Sequence, residues 1–229
     1  MKNKNISIII PARNEEKSID KLLKELKKYK KNFKEIIVVD GNSTDKTIKV
    51  AKKFNVKIIK QKYKLGYGNA IIKGIKNSKF KYSLVLDGDG SKNPKYIKNL
   101  FNKIYNKNAD FVFALRYGKN AGSKDDTWLT YLGNRIFTNL GKILFNMKNN
   151  DILHTFFICK TKKFNKMKFS FRDFAFCIEL PIKVESYNFK TYFMPTIERK
   201  RIADKVKVKP FVDGYKILYS MLKMRLFNF

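Results

Sequence analysis

The sequence predicts an α/β domain built on a doubly wound, mostly parallel sheet. Short apolar runs alternate along the chain with segments whose apolar residues repeat at helical spacing. The runs are continuously apolar, which is typical of strands buried on both faces of a parallel sheet. The predicted strands cover residues 6–10, 36–39, 56–59, 83–86 and 111–114.

Helices are predicted in the intervals between these strands. Apolar residues repeat every three to four positions from Ile19 to about Tyr29, which indicates an amphipathic helix. Ser43 or Thr44 is expected to cap the next helix. A third helix carries the apolar residues of segment 70–75. Pro94 begins a fourth, because proline is favoured in the first helical turn.

Beyond residue 118 the alternation is less regular. Residues 136–144 have helical spacing, and residues 155–159 predict a strand. Residues 174–184 are also expected to be helical, with Pro181 kinking or restarting the helix because its ring blocks one backbone hydrogen bond. Residues 191–194 predict a last strand.

The C-terminal segment differs from the domain before it. We expect residues 1–209 to form the α/β domain and residues 210–229 to form a separate amphipathic helix. Apart from a narrow polar stripe, this helix is almost wholly apolar, so it must pack on the domain or lie in a membrane interface. We favour the membrane interface. The stripe consists of Asp213, Lys216, Ser220 and Lys223.

The chain is strongly basic. Its 51 lysines and arginines against 19 acidic residues give a formal net charge of +32. Such a charge attracts nucleic acids, anionic membranes or phosphorylated substrates. A merely solvated surface is an equal alternative, since the sequence uses lysine so freely. The 44% hydrophobic content excludes a disordered chain.

The cysteines and the hydropathy indicate where the protein works. Cys159 and Cys177 lie in apolar surroundings without CxxC spacing, so we expect buried free thiols in a reducing compartment. No apolar run approaches the roughly 18 residues of a membrane-spanning helix. We therefore expect a cytoplasmic protein, held peripherally on the cytosolic face of a membrane.

Four polar clusters follow predicted strands. Segments 11–15, 40–43 and 87–89 and Arg116 each come just after a strand. In doubly wound sheets, ligands bind beyond the carboxyl ends of the strands, so the clusters are expected to form one site. Asp87 and Asp89 are separated only by Gly88. Read alone, this segment is an ordinary turn; beside the other clusters, it suits Mg²⁺ or Mn²⁺, which prefer oxygen ligands.

Three other features of the sequence bear on function. Asp40 ends an apolar strand, where a carboxylate is expected to recognise a base or ribose; capping the next helix is the alternative. The few arginines in a chain so rich in lysine suggest bidentate contacts that lysine cannot make. His154 is the single histidine, so a Ser-His-Asp triad or a histidine zinc site is not expected.

The ordered motifs resemble those of family 2 glycosyltransferases, and more narrowly the dolichol- and polyprenyl-phosphate hexosyltransferases. The chain is similar to them over about residues 6–222. It departs from their usual pattern at Gly41, Asn42 and Phe156, and near the last lysine of the final block. The matching segments are Pro11 to Glu16, Val39 to Thr47, Leu65 to Ala70, Asp87 to Ser91, Ala114 to Tyr117, Leu132 to Phe137, Asp151 to Ile158 and Met194 to Val208.

This resemblance implies a GT-A fold and a metal-dependent, inverting transfer of a hexose. The donor would be a GDP- or UDP-linked sugar and the acceptor a polyprenyl phosphate. Asp87 and Asp89 would bind the Mg²⁺ or Mn²⁺ ion, with Gly88 beside the substrate. The nucleoside would be held by Pro11, Arg13, Glu15, Val38 and Asp40, and the phosphates by Arg116, Arg135, Arg201 and Lys207.

Two alternatives remain open from the sequence. The chain could extend a surface polysaccharide, with Glu179 as the base that a sugar-hydroxyl acceptor needs. It could instead be a basic nucleic-acid-binding protein, which the net charge favours. The second alternative leaves Asp87 and Asp89 unexplained, so no nucleic-acid partner is expected.

Overall fold

The computed structural model describes residues 5–62, 65–203 and 210–226 of the chain. Its strands are β1 (Ile6–Ala12), β2 (Glu35–Asp40), β3 (Lys57–Lys60), β4 (Tyr82–Val85), β5 (Phe111–Leu115), β6 (Gly122–Ser123), β7 (Phe157–Lys160), β8 (Thr191–Pro195) and β9 (Ile197–Glu198). Its helices are α1 (Glu16–Lys28), α2 (Thr47–Ala51), α3 (Tyr67–Lys76), α4 (Ile97–Asn106), α5 (Trp128–Phe145), α6 (Thr161–Lys166), α7 (Phe176–Ser186) and α8 (Pro210–Leu226). Short 3₁₀ turns occupy Lys30–Asn32 and Pro94–Tyr96.

The main sheet has the strand order β3-β2-β1-β4-β7-β5-β8. Strands β1 to β4 pair in parallel, and β5 pairs in parallel with β8. Strand β7 lies between β4 and β5 and is antiparallel to both. The predicted mostly parallel sheet is therefore confirmed, and β4 and β5 run in the same direction. The small strands β6 and β9 form a separate parallel pair.

Helices cover both faces of the main sheet, as predicted. On one face, Ile8 and Ile10 of β1 pack with the apolar sides of α1 and α4. On the other face, Ile9 packs with α3 and α7. Neighbouring residues of β1 thus contact opposite cores because successive side chains of a strand point to opposite faces. This double burial explains why the strands read as unbroken apolar runs.

A third apolar cluster joins the C-terminal helix to the domain. Ile217, Met221 and Met224 of α8 pack with Ile178 and Ile182 of α7. Helix α8 also contacts α5. One side of the C-terminal helix therefore packs on the domain, and the predicted polar stripe is broken, since Ser220 is buried. No helix in the described part of the chain is long and apolar enough to cross a bilayer.

Several predicted details are different in the structure. Neither Ser43 nor Thr44 caps α2, which begins at Thr47 with Asp45 accepting a hydrogen bond from the Thr47 backbone N–H. Helix α7 continues through Pro181 without a restart. Strands β6 and β9 were not predicted. Cys159 and Cys177 are both buried and free, as expected.

Candidate active site

The carboxyl ends of β1, β2, β4 and β5 lie along one edge of the sheet. The first three strands are neighbours, and β5 has the same direction because the strand between it and β4 is antiparallel to both. The loops that follow these four strands carry the four polar clusters identified in the sequence. Their predicted convergence is confirmed.

The loops after β1 and β2 are tied together by reciprocal hydrogen bonds. The Asn14 backbone N–H donates to Ser43 Oγ at 3.0 Å, and the Thr44 N–H donates to Asn14 Oδ1 at 2.8 Å. The Glu15 N–H donates to Thr47 Oγ1 at 2.7 Å. The hydroxyl groups expected to cap α2 instead fix one loop against the other. The pair of loops forms a braced wall for the site.

The residues predicted to hold a nucleoside are only partly brought to this wall. Arg13 is exposed on the first loop, and Glu15 is half-buried beside it. Asp40 is buried, and its carboxylate accepts a hydrogen bond from the Ser43 N–H at 3.2 Å. Val38 is fully buried in the apolar core, so the prediction that it contacts a ligand is wrong.

The segment Asp87 to Asp89 is a tight turn seated on the end of β1. The Gly88 N–H donates to the Pro11 carbonyl oxygen at 3.2 Å. A Cβ atom at Gly88 would lie 3.1 Å from both Ala12 Cβ and the Pro11 carbonyl oxygen. Gly88 therefore lets the two loops approach closely, which places both aspartates beside the predicted nucleoside wall.

Asp87 is held by a buried polar network. Tyr67 donates its hydroxyl to Asp87 Oδ1 at 2.5 Å, and Lys92 Nζ lies 2.9 Å from Asp87 Oδ2. Lys92 also donates to Thr155 Oγ1 at 3.0 Å and to the Tyr67 hydroxyl at 3.3 Å. Burial, followed by the charge of Asp87, raises the pKa of Tyr67 well above its ordinary value, so the phenol stays a donor.

Asp89 has less compensation for its charge. Its Oδ1 accepts from the Ser91 N–H at 2.9 Å, while Arg201 Nε lies 3.7 Å from Oδ2 and 2.8 Å from Asp125 Oδ2. Burial and then the neighbouring charge of Asp87 raise the pKa of Asp89. A cation between two such carboxylates would favour their ionised forms.

The donor set at this turn fits a hard divalent cation. Asp87 and Asp89 offer carboxylate oxygens with lone pairs to spare, which suits Mg²⁺ or Mn²⁺. Within residues 5–62, 65–203 and 210–226, no group of three or more His, Cys, Asp or Glu could hold a metal ion. The two aspartates would therefore share the ion with water or with phosphate oxygens of a ligand, as magnesium sites commonly do.

Arg116 is paired with a protein carboxylate. Its guanidinium makes a bidentate pair with Asp151, with Nε–Oδ2 and Nη2–Oδ1 distances of 3.0 and 2.8 Å. Burial alone would lower the pKa of Arg116, but Asp151 and then Glu198 outweigh it and raise that pKa well above its ordinary value. The bidentate geometry inferred from its residue type is present. The partner is a protein carboxylate, and Arg116 also lines the cleft beyond β5. Its predicted role as a phosphate clamp stays a prediction.

A cleft of about 650 Å³ lies beyond β5. Arg135 of α5 lines it, with its guanidinium 5.8 Å from the centre of the Tyr117 ring. Trp128 and Tyr131 add aromatic surface, and Asp126 adds a carboxylate that accepts from the Tyr117 hydroxyl at 2.6 Å. Arg135, one of the arginines predicted to bind phosphate, therefore lies in this cleft. Among the described contacts, its guanidinium has no bidentate carboxylate partner.

The segment after β9 crosses the aspartate turn. The Ile202 N–H donates to the Asp89 carbonyl oxygen at 2.9 Å, and the Arg199 N–H donates to the Ser91 carbonyl oxygen at 3.1 Å. These backbone bonds bring Arg201 to the site, as predicted. Lys207, the other predicted phosphate ligand from this region, lies outside the described residues.

Glu179 cannot serve as a base in this arrangement. It is fully buried, and its two oxygens accept hydrogen bonds from the Ser170 and Phe171 backbone N–H groups at 2.7 and 2.8 Å. Lys183 Nζ lies 3.0 Å from the same carboxylate. The role of Glu179 is to fix the backbone before α7, and this corrects the alternative that made it catalytic.

His154 is buried beneath the site. Its Nδ1 lies 3.9 Å from Glu198 Oε1, and its Nε2 has no hydrogen-bond partner among the described residues. Burial, with smaller contributions from the charges of Arg116 and Lys92, lowers the pKa of His154 well below its ordinary value. The imidazole is therefore neutral at physiological pH. The expectation of a structural histidine agrees with this placement.

The structure adds site residues that the sequence did not reveal. Lys92 is indistinguishable by type from the many other lysines, and Tyr67 lies in the matching segment from Leu65 to Ala70, to which no role was assigned. Asp125 and Asp126 form an acidic pair in a chain with few acids, and this local contrast could have signalled them. Glu198 lies in β9, a strand too short to be predicted.

The fold and the strand-end site define the chain as a GT-A protein. Over 96% of the chain, the structure matches a glucosyl-3-phosphoglycerate synthase of Mycobacterium tuberculosis with a TM-score of 0.75, covering 79% of that chain at 16% identity. That protein was crystallised with Mn²⁺, uridine diphosphate and glucosyl-3-phosphoglycerate. At this identity the likeness concerns the fold.

The sequence family is also established. Residues 7–168 match the model of glycosyl transferase family 2, and the chain belongs to that family. A dolichol-phosphate mannosyltransferase of Pyrococcus furiosus is 31% identical over 131 residues, covering 55% of this chain and 36% of that protein. An uncharacterized protein of Methanocaldococcus jannaschii is 39% identical over 122 residues, covering 49% of this chain and 52% of its own length. The chain thus matches about half or less of these relatives.

Proposed function

We propose that this protein transfers a hexose from a GDP- or UDP-linked sugar to a polyprenyl phosphate, with inversion at the anomeric carbon. The observation that carries the proposal is the position of the Asp87–Asp89 turn. It lies on the edge of the sheet between the braced loops after β1 and β2 and the cleft beyond β5. Donor and acceptor would thus approach the turn from opposite sides.

The donor half is proposed to bind the nucleotide. Pro11, Arg13, Glu15 and Asp40 would hold the nucleoside, and Asp87 with Asp89 would hold Mg²⁺ or Mn²⁺. The chemistry that such an ion supplies is neutralisation of charge on the departing nucleoside diphosphate. Arg201, next to Asp89, would add a second positive charge on the diphosphate side. The Mn²⁺ and uridine diphosphate of the fold neighbour support this assignment.

The acceptor half is proposed to bind a phosphate. Arg135 would hold the acceptor phosphate in the aromatic cleft. A phosphomonoester is largely ionised near neutral pH, since its second pKa is about 6, so its oxygen needs no protein base. The bond from this oxygen to the anomeric carbon forms as the carbon–oxygen bond to the diphosphate breaks, and the electron pair leaves with the diphosphate. The Pyrococcus relative is a dolichol-phosphate mannosyltransferase, which supports a lipid-phosphate acceptor.

The membrane side of the proposal relies on α5 and α8. These neighbouring helices both expose apolar side chains, with Ile143 80% exposed and Phe211 81% exposed. A basic protein with apolar helix faces is suited to an anionic membrane surface. We propose that α5 and α8 hold the protein on the cytosolic face, where the cleft would meet a lipid-linked phosphate. Other exposed members of the two faces are Leu129, Leu132, Ile136, Val212, Tyr215, Leu218, Tyr219, Leu222 and Leu226.

A second candidate is transfer to a sugar hydroxyl. A hydroxyl acceptor needs a base, and Asp126 is the carboxylate that lines the cleft. The two candidates differ in the acceptor that becomes labelled.

The test first measures stabilisation of the protein by UDP or GDP with Mn²⁺. It then follows transfer of radiolabelled sugar to polyprenyl phosphate in vesicles and to soluble oligosaccharides. Label only in the oligosaccharides, with activity lost in Asp126→Asn, would refute the lipid-phosphate assignment.

A further inference from the structure

Lys92 is a cation built into the aspartate turn. Its side chain is 2% exposed. Its ammonium group has three N–H donors, and three oxygens accept them: Asp87 Oδ2 at 2.9 Å, Thr155 Oγ1 at 3.0 Å and the Tyr67 hydroxyl at 3.3 Å. All the donors are used, so the charge is fixed in place before any ligand arrives.

The hydrogen bonds of this network can be assigned consistently. Tyr67 has one hydroxyl proton, which goes to Asp87 Oδ1, since an ionised carboxylate only accepts. Thr155 then donates to Tyr67 across their 2.5 Å contact and accepts from Lys92. Each Asp87 oxygen has one protein donor and keeps a lone pair that faces no described partner. Asp87 is thus oriented and neutralised while it remains able to bind a metal.

Lys92 limits the negative charge that the turn offers to a metal. Asp87, Asp89 and Asp125 contribute three negative charges, and Lys92 and Arg201, which pair with them within 4 Å, contribute two positive charges. A divalent cation entering alone would meet a net formal charge of only −1 and a fixed ammonium group beside Asp87. A nucleoside diphosphate brings further negative charge with it. The order of binding should follow from this difference.

Within the proposed function, we propose that Lys92 is a positioning residue that makes metal binding depend on the nucleotide. In the free protein, its charge disfavours Mg²⁺ or Mn²⁺ at Asp87 and Asp89. When the nucleotide is bound, the diphosphate outweighs that charge, and Lys92 keeps Asp87 in the orientation that the metal requires. The metal is therefore recruited as a complex with the donor.

The test compares Mn²⁺ binding by the full chain without nucleotide in wild type, Lys92→Met and Lys92→Arg. Titration is followed by the electron paramagnetic resonance of free Mn²⁺. Removing a unit charge at this distance should tighten Mn²⁺ binding about tenfold in Lys92→Met, while Lys92→Arg, which keeps the charge, should stay within about threefold of wild type. Lys95→Met, at an exposed lysine beside Tyr96, is the control for removal of a lysine charge outside the network and should match wild type.

Three results would overturn the proposal. Mn²⁺ could bind Lys92→Met no more tightly than wild type, or bind Lys92→Arg as tightly as Lys92→Met, or bind free wild type as tightly as its complex with UDP or GDP. Lys92→Gln provides a second neutral variant if the methionine variant fails to fold. Failure of the proposed function is distinguishable, because it would appear as no stabilisation of wild type by either nucleotide with Mn²⁺.

Discussion

Replacing Glu179 by Gln separates a structural carboxylate from a catalytic one. In the structure, Glu179 accepts two backbone N–H groups and pairs with Lys183, all in a fully buried site. Glutamine keeps one acceptor oxygen but turns an NH₂ group toward an N–H donor. It also removes the partner of a buried ammonium. We therefore expect a loss of stability rather than a specific loss of catalysis.

The magnitude follows from these contacts. A hydrogen bond to a charged group contributes about 1.5–3 kcal/mol, and breaking a buried ion pair costs about 3–5 kcal/mol. The two estimates overlap in what they count, so the expected loss is about 3–5 kcal/mol rather than their sum. For a chain of this size, each kcal/mol lowers Tm by roughly 2–4 °C, so Tm should fall by about 6–20 °C.

Urea unfolding and thermal melting measure this change, with transfer activity recorded at a temperature where the variant is folded. Glu185→Gln, on the same helix and half-buried, is the matched control; its carboxylate accepts one N–H bond from Lys148, so it should lose less than about 1 kcal/mol. A Glu179→Gln protein that keeps its stability within about 0.5 kcal/mol while losing turnover would refute the structural assignment and restore Glu179 as a base.

Three further predictions concern other parts of the molecule. The pKa of His154 is lower in the folded protein than in the unfolded chain, so the unfolded chain takes up a proton first as pH falls below about 6.5. The free energy of unfolding should therefore drop by up to about 1.4 kcal/mol per pH unit below that pH. Urea unfolding of His154→Gln, measured over the same pH range, should lack this drop. A Cβ at Gly68 would lie 2.3 Å from Phe176 Cβ, so Gly68→Ala should lower the free energy of unfolding by about 1–3 kcal/mol. A Cβ at Gly133 would meet nothing within 4 Å, so the control Gly133→Ala should lose no stability. Urea unfolding of both variants measures the difference. Ile143→Glu should weaken binding to anionic vesicles about tenfold, measured by sedimentation, without lowering Tm. The control Tyr105→Glu, at an exposed aromatic residue on α4, should leave vesicle binding unchanged. Equal vesicle binding by the two variants would contradict a role for α5.

The parts of the fold that the sequence predicts are those with a local signature. Strands β1, β2, β4 and β5 are buried on both faces, so each leaves an unbroken apolar run. The direction of β7 leaves no such mark, because an apolar run records burial and not orientation. Strands β6 and β9 are two residues each, and they pair only because distant segments meet. Their formation depends on the tertiary fold.

The same distinction applies to the site. Acidic and polar residues after strands predict which loops converge, because the sheet brings those loops together wherever the strands are parallel. They do not predict partners. Arg116 has the bidentate contact that its type suggests, but the partner in the structure is Asp151, 35 residues further along the chain, which its residue type could not predict. Lys92 is buried in the site although its type is the commonest cation on the surface.

The antiparallel strand between β4 and β5 has a consequence for how the chain folds during synthesis. Strands β1 to β4 can assemble as they emerge, because each pairs with a strand made earlier or close in sequence. The outer edge of β4 stays unpaired until residues 157–160 are made, and β5 waits for the same strand. Fragments that end before residue 157 therefore leave the outer edge of β4 and both edges of β5 unpaired, the kind of surface that captures other chains. Strand β7 covers the open edge of β4 and one edge of β5 at once.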